Sequence, residues 1–278
     1  MNFPLKSKNS DDWLPECSIG KILAFYARNV PSHPGKIRIF KWLSRLNPKP
    51  IFSFLGKARI QCILSDYIGH AMCFQGSWEP LSLAACIKLM KGNEAKTFLD
   101  AGANHGIFSI VVGNITGCPC VAVEPMPRNC QILTENLGLN PGITVQTFQC
   151  ATTAENTRVS LSREKAGSGA WTKITATAVD HDAITVEGRP LSQILQEARC
   201  RQVRLMKIDV EGFELEVFKG LNWDSPVAPE IVLMECQPWD REKISFLTRL
   251  GYQPETVDGR STMDLPEYPE GNLIFRRK

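Results

Sequence analysis

Short apolar runs alternate with longer amphipathic stretches through most of this 278-residue chain. Residues 97–100, 119–124, 143–149, 203–209 and 230–235 read as strands, several of them short apolar runs suited to a sheet covered on both faces. Between and around them, residues 79–91, 106–116, 127–139, 190–199, 213–220 and 239–250 space their apolar positions three and four apart, the period of an amphipathic helix. Residues 252–257 and 272–277 can close the sheet as a C-terminal hairpin. Strand–helix alternation of this kind predicts an α/β fold with a doubly wound, mostly parallel sheet.

Two other regions interrupt the alternation. Residues 157–161 and 172–179 read as an extended excursion turning at Gly167-Ser-Gly169. The N-terminal part has a polar stretch over 1–16, helical spacing at 19–30 and 36–46 separated by Pro31 and Pro34, and short strands at Arg59–Leu64 and Ala71–Phe74 with a turn at Asp66–Gly69. The expected division is therefore a small N-terminal helical and β-hairpin extension over 1–75 and a main domain over 76–278.

The most informative segment is Phe98-Leu-Asp-Ala-Gly-Ala-Asn-His-Gly-Ile-Phe108, read as strand, tight loop and helix. Gly102 and Gly106 suggest close approach of a ligand to bare backbone. Their G-x-x-x-G spacing departs from the G-x-G-x-x-G that cradles a pyrophosphate, and Asp100 would repel that group. A ligand with positive charge fits better, and S-adenosylmethionine carries both an ammonium and a sulfonium. Glu124 ends the next strand, 24 residues after Asp100, where a carboxylate can bind a ribose diol. That pair alone would also suit an NAD enzyme, so the loop charge has to discriminate. His105, inside the loop, would titrate near neutrality if left in water; packing or capping is its other reading.

Composition narrows the class. A hydrophobic content of 43% and a charged content of 22% are ordinary for a globular protein. No apolar run approaches a membrane span, and no signal-peptide core is evident at the start. The ten cysteines include no C-x-x-C pair, so reduced thiols, a cytoplasmic location and no metal site are expected. Charge is unevenly placed. Residues 1–60 hold 11 Lys or Arg against 3 Asp or Glu, net +8, leaving 21 against 26, net −5, for the rest. From Cys17 to Ser65 there are nine basic residues and no acidic one. Residues 17–60 could therefore contact an anionic surface, peripherally at a membrane, or form a solvated face packed on the main domain. The positive charge does not extend into the main domain, so nucleic acid is not an expected partner.

Met206-Lys-Ile-Asp-Val-Glu-Gly-Phe-Glu-Leu-Glu-Val-Phe-Lys-Gly-Leu221 sets Lys207, Asp209 and Glu211 at the mouth of an apolar strand. Such a cluster implies ligands or mutual pairing, because an unpaired buried charge is costly. With this motif the chain resembles the FkbM family of S-adenosylmethionine-dependent methyltransferases. The resemblance also rests on Gly76-Ser-Trp-Glu-Pro80, the Asp100–Gly106 loop, Val123-Glu-Pro-Met-Pro-Arg-Asn129 with Asn136, and the strand ending at Glu235. It spans residues 76–236. It implies a class I, Rossmann-like, seven-stranded fold, S-adenosylmethionine as donor with S-adenosylhomocysteine as product, and O-methylation of a hydroxyl on a sugar or glycan, a polyketide or another natural product. The Thr-Leu-Asp segment common before the fourth strand is not clear here, and residues 1–58 exceed the family core.

The expected cofactor contacts are Asp100, Gly102, Asn104, His105 and Gly106 in the first loop, Glu124, Pro125 and Asn129 after the second strand, Cys150 and Ala151 after the third, and Asp209 after the fourth. Asp209 and Glu211 are the first candidates for base or acceptor positioning, with Glu235 third. Two rival readings stand beside this one. An NAD(P)-binding Rossmann oxidoreductase is opposed by the loop spacing and by the absence of a Tyr-x-x-x-Lys dyad. A non-catalytic binding module of the same fold would bind the cofactor without turnover, or not at all.

Overall fold

In a computed structural model, residues 13–163, 172–175, 183–237, 239–260, 262 and 271–277 are described. The turn expected at Gly167-Ser-Gly169 and the end of the extended segment over 172–179 lie outside them. In chain order the elements are β1 (Trp13–Pro15), α1 (Ser18–Asn29), α2 (Lys36–Ser44), β2 (Ile51–Phe54), β3 (Ala58–Gln61), α3 (Tyr67–Phe74), α4 (Pro80–Met90), β4 (Thr97–Ala101), α5 (Ile107–Thr116), β5 (Cys120–Val123), α6 (Pro127–Gly138), β6 (Val145–Phe148), β7 (Ala151–Thr152), β8 (Thr157–Arg163), β9 (Thr172–Thr175), β10 (Ile184–Arg189), α7 (Leu191–Glu197), β11 (Val203–Ile208), α8 (Glu214–Lys219), β12 (Ile231–Cys236), α9 (Arg241–Arg249), β13 (Tyr252–Thr256) and β14 (Gly271–Arg277).

The apolar runs form a seven-stranded sheet in the order β13-β14-β12-β11-β4-β5-β6. Strands β12, β11, β4, β5 and β6 are parallel, while β14 joins β12 antiparallel and β13 closes the edge as the expected hairpin partner. Successive side chains of each inner strand go to opposite faces. Phe98 and Leu205 join a core cluster with α4, α5 and the N-terminal elements; Leu99 and Met206 join a second cluster with α7, α8 and α9. This two-sided burial is why β5 and β12 are almost wholly apolar, while β6 at the sheet edge keeps Gln146 and Thr147 exposed. The chain is thus an α/β protein with a doubly wound, mostly parallel sheet.

Strand order reverses between β4 and β11. At such a switch point the loops leave in opposite directions and open a crevice beyond the strand ends, the usual ligand position in this architecture.

Two smaller sheets flank the main one. Strands β1, β2 and β3 form an antiparallel sheet, and β7, β10, β8 and β9 form another, in that order. The N-terminal elements share the first core cluster with the main sheet, from Trp13 through Phe40 and Phe52 to Ile274. Buried asparagines stitch the junction. The Gln61 N–H donates to Asn136 Oδ1 at 2.8 Å, and Arg59 exchanges backbone bonds with the Asn140 amide at 2.9 and 2.7 Å. Asn136 also donates to the His105 carbonyl at 3.0 Å, which fixes the loop after β4.

One element differs in type. Ala71–Phe74, read as a strand, belongs to helix α3. Asp66 caps it, accepting from the Gly69 N–H at 2.9 Å, as an N-cap residue does. The segment is apolar on nearly every side because the helix is buried, so neither period shows in the sequence.

Candidate functional site

The crevice at the switch point is lined by Gly102 and Asn104 from the loop after β4, Val123, Glu124, Pro125 and Asn129 from the β5–α6 turn, Cys150, Ala151 and Thr152 around β7, and Asp209, Val210 and Glu211 after β11. Four strand ends converge there. Among these described lining residues three are carboxylates and none is Lys or Arg.

Glu124 is the best-held of the acids. It is 6% exposed. Its Oε2 accepts from the Asn104 N–H at 2.8 Å, and its Oε1 accepts from the Met126 N–H at 3.0 Å and from Asn129 Nδ2 at 3.1 Å. A carboxylate has about four acceptor positions. Three are used, so one remains toward the crevice. Burial raises the pKa of Glu124, against these three hydrogen bonds, which lower it.

Asp100 is placed differently from the expectation. It is fully buried and does not line the crevice. Its Oδ2 accepts from Ser109 Oγ at 2.7 Å and from the Ser109 N–H at 3.2 Å, and its Oδ1 lies 3.9 Å from Lys207 Nζ. Lys207 is 4% exposed and also donates to Asp209 Oδ2 at 3.2 Å. Burial pulls Lys207 down, but Asp209, Asp100 and Glu79 outweigh it and hold the ammonium charged. Burial raises Asp100, and Lys207 and Ser109 oppose that rise. Asp100 thus lies behind the crevice, joined to Asp209 through Lys207.

The glycines also act differently. A Cβ on Gly102 would lie 1.8 Å from the Asp209 carbonyl oxygen, and one on Gly106 would lie 2.3 Å from Leu133 Cδ1. Both residues have positive φ, 84° and 81°. They are needed where β4 and β11 approach and where α5 begins. His105 is buried, with Nε2 3.9 Å from Asp66 Oδ2, and lies off the crevice. Burial, then the nearby Arg128, lower its pKa to about 4, so the ring is neutral at pH 7 and the near-neutral titration considered from sequence does not apply.

Of the sequence-derived cofactor residues, Gly102, Asn104, Glu124, Pro125, Asn129, Cys150, Ala151 and Asp209 do meet at the crevice, and Asp100, His105 and Gly106 stand behind it. Thr152 ends the Gln149-Cys-Ala-Thr152 loop expected to meet the adenine, but only Cys150 and Ala151 of that loop are expected cofactor contacts. Thr152 Oγ1 is buried with no hydrogen-bond partner among the described residues. The only sequence signal for it was its place after the third parallel strand.

The proposed bases form an acidic mouth. Burial, then repulsion from Asp209, Glu235 and Glu214, push Glu211 up to about 8. The residue is exposed by surface area, so water screens part of this effect. Glu211 also has a positive φ of 54°, a strained setting for a non-glycine residue. Glu235 lies at the exposed edge of the mouth, outside the crevice lining, and is raised by burial and then by Asp209 and Glu79. In the sequence Glu79 stands out only as part of Gly76-Ser-Trp-Glu-Pro80. It precedes Pro80 at the start of α4 with φ 39°, and accepts from Asn272 Nδ2 at 3.1 Å. Burial raises its pKa, followed by opposing influences of Lys207 and Asp209. Among the described residues, no three His, Cys, Asp or Glu side chains converge to hold a metal ion.

The arrangement fits a ligand with a hydroxyl-bearing middle and a positive end. Glu124 keeps one acceptor position, Thr152 keeps an unpartnered hydroxyl, and no lining cation would attract a pyrophosphate.

The methyltransferase FkbM domain matches residues 100–254. Among curated relatives, Methyltransferase 1 of Beauveria bassiana (strain ARSEF 2860) is 24% identical over 45% of this chain and 59% of its own length. Methyltransferase sdnD of Sordaria araneosa is 29% identical over 45% of this chain and 60% of its own. The chain thus spans about three-fifths of the length of these relatives. Among solved structures, an O-methyltransferase from Bacillus cereus in complex with SAH is 12% identical, with a TM-score of 0.44, over 73% of this chain and 83% of that one. TYW2 of M. jannaschii in complex with AdoMet is 12% identical, with a TM-score of 0.42, over 83% and 87%. With the family match covering more than half of its residues, the chain belongs to the FkbM-domain methyltransferases.

Proposed function

We propose that the protein uses S-adenosylmethionine to methylate a hydroxyl oxygen on a sugar or glycan, a polyketide or another natural product. The observation that carries the donor assignment is the crevice lining: three carboxylates, no lysine or arginine, at the switch point of a doubly wound sheet. When bound, the cofactor supplies an electrophilic methyl group on a sulfonium.

In this reading Glu124 holds the ribose hydroxyls, with Asn104, Met126 and Asn129 fixing its carboxylate. Cys150, Ala151 and Thr152 flank the adenine. Asp209, oriented by Lys207, faces the charged methionine end. Glu211 accepts the proton of the acceptor hydroxyl. A carboxylate whose pKa is raised toward 8 is a stronger base than an ordinary one, and is still largely ionised above that pH. Glu235 and Glu79, the latter held by Asn272, position the acceptor at the mouth. The ten free thiols suit a reducing compartment, so we place the protein in the cytoplasm.

Incubation with methyl-labelled cofactor and a panel of glycans, lipids and polyketides tests the reaction. The expected result is label in a base-stable methyl ether, with loss of turnover in Glu211→Gln. Label found only on nitrogen or carbon would overturn O-methylation, and cofactor binding without turnover on any acceptor would favour the binding module.

A further inference from the structure

Helices α1 and α2 each bury one side and leave an apolar stripe on the other. In α1, Leu23, Ala24 and Ala27 are in the core, while Ile19, Ile22 and Phe25 are 40%, 59% and 65% exposed. Their spacing of three puts them on one outer face. In α2, Phe40 is buried, while Ile39 and Trp42 are exposed on one face, and Leu46 continues the stripe past the helix end. Trp42 is 62% exposed, unusual for a side chain of its size. Arg38, Lys41 and Arg45 form the neighbouring stripe on α2, and Lys21 flanks that of α1. All four are exposed and form no ion pair with a described carboxylate. From Cys17 to Ser65 the sequence has nine Lys or Arg and no Asp or Glu.

We propose that these two exposed helix sides together form a peripheral docking surface for an anionic lipid bilayer. The apolar side chains enter the headgroup boundary, and the cations beside them meet the lipid phosphates and carboxylates. Aromatic and aliphatic residues on one face of a helix with basic residues alongside are what interfacial binding requires. No helix among the described residues is long and apolar enough to cross a membrane, and in this proposal α1 and α2 lie along the surface. A second copy of this chain is a poorer occupant. A symmetric dimer through the patch would bring two sets of unpaired cations together, and like charges across an interface oppose association.

The test is sedimentation of the full chain with vesicles of phosphatidylcholine alone, or with phosphatidylserine as about a third of the lipid. The expected result is binding to the phosphatidylserine vesicles, about tenfold weaker on neutral ones and reversed by high salt. Phe25→Ser with Trp42→Ser, and separately Arg38→Ala with Lys41→Ala and Arg45→Ala, should each weaken binding about tenfold. Thermal midpoints should fall only slightly and cofactor affinity should hold, because these side chains are mostly in water and lie outside the crevice lining. No binding to phosphatidylserine vesicles at low salt, or equal binding to neutral ones, would overturn the proposal. So would light scattering showing a dimer that Trp42→Ser converts to a monomer.

Discussion

Lys207 lies between two aspartates in different surroundings: 3.9 Å from the fully buried Asp100 and 3.2 Å from Asp209 at the crevice. One ammonium thus ties the interior of the sheet to the site. Asp100 and Lys207 are register partners on adjacent parallel strands, so the link is built into the sheet.

Removing that ammonium leaves two carboxylates close together without a counter-charge. Lys207→Met should destabilise the fold by about 3–5 kcal/mol, as breaking a buried pair does. Adding Asp100→Asn should restore part of this, because the deeper uncompensated charge is then gone. Denaturant unfolding of the single and double variants measures both effects.

The two glycines of the first loop should differ in sensitivity. Gly102→Ala sets a methyl against the Asp209 carbonyl, a backbone atom of the neighbouring strand segment that cannot move alone. Gly106→Ala meets the end of the Leu133 side chain, which can rotate. Both pay for positive φ, so both should lose stability. The first should lose about 3 kcal/mol or more and the second about 1–2 kcal/mol, read from unfolding midpoints.

Thr152 separates binding from folding. Its hydroxyl is buried with no partner among the described residues, and a buried hydroxyl left unpaired costs stability. Thr152→Val should therefore leave stability unchanged or raise it by about 1 kcal/mol, while cofactor affinity falls several-fold. Paired thermal melts and calorimetric titrations check it. A loss of stability with unchanged affinity would mean the hydroxyl does not face the ligand.

Glu211 gives a pH signature. Its folded-state pKa is raised from 4.5 to about 8. A raised value means the folded state holds the proton more tightly. The contribution to stability is complete below 4.5 and is lost as pH rises through about 8. Thermal midpoints of the wild type relative to Glu211→Gln should therefore fall across that window. Methyl transfer should run the other way, rising through about pH 8 as the base ionises, and the Gln variant should lack that limb.

Much of this was readable from local pattern. The strand–helix alternation from Thr97 to Arg249, the place of Glu124 and the order of Asp209 and Glu211 depend on short-range period and spacing. The role of Asp100 was not readable, because it depends on Ser109 and on Lys207, more than a hundred residues away. The sequence showed an acid at a strand end but not which way it turned. Helix α3 was hidden by burial on nearly every side, and strand β10 by its small apolar content, with Val186 its only buried large side chain. Glu79 and Asn272 lie far apart in the chain and meet only when β14 pairs beside β12.

Calorimetric titration of the purified chain with S-adenosylmethionine and with NAD tests the central claim most directly. Saturable binding of S-adenosylmethionine, no heat with NAD, and a loss of about ten- to hundredfold in affinity for Glu124→Ala are predicted, the cost of a charged hydrogen bond. Heat with NAD alone, or S-adenosylmethionine binding that ignores Glu124→Ala, would contradict it.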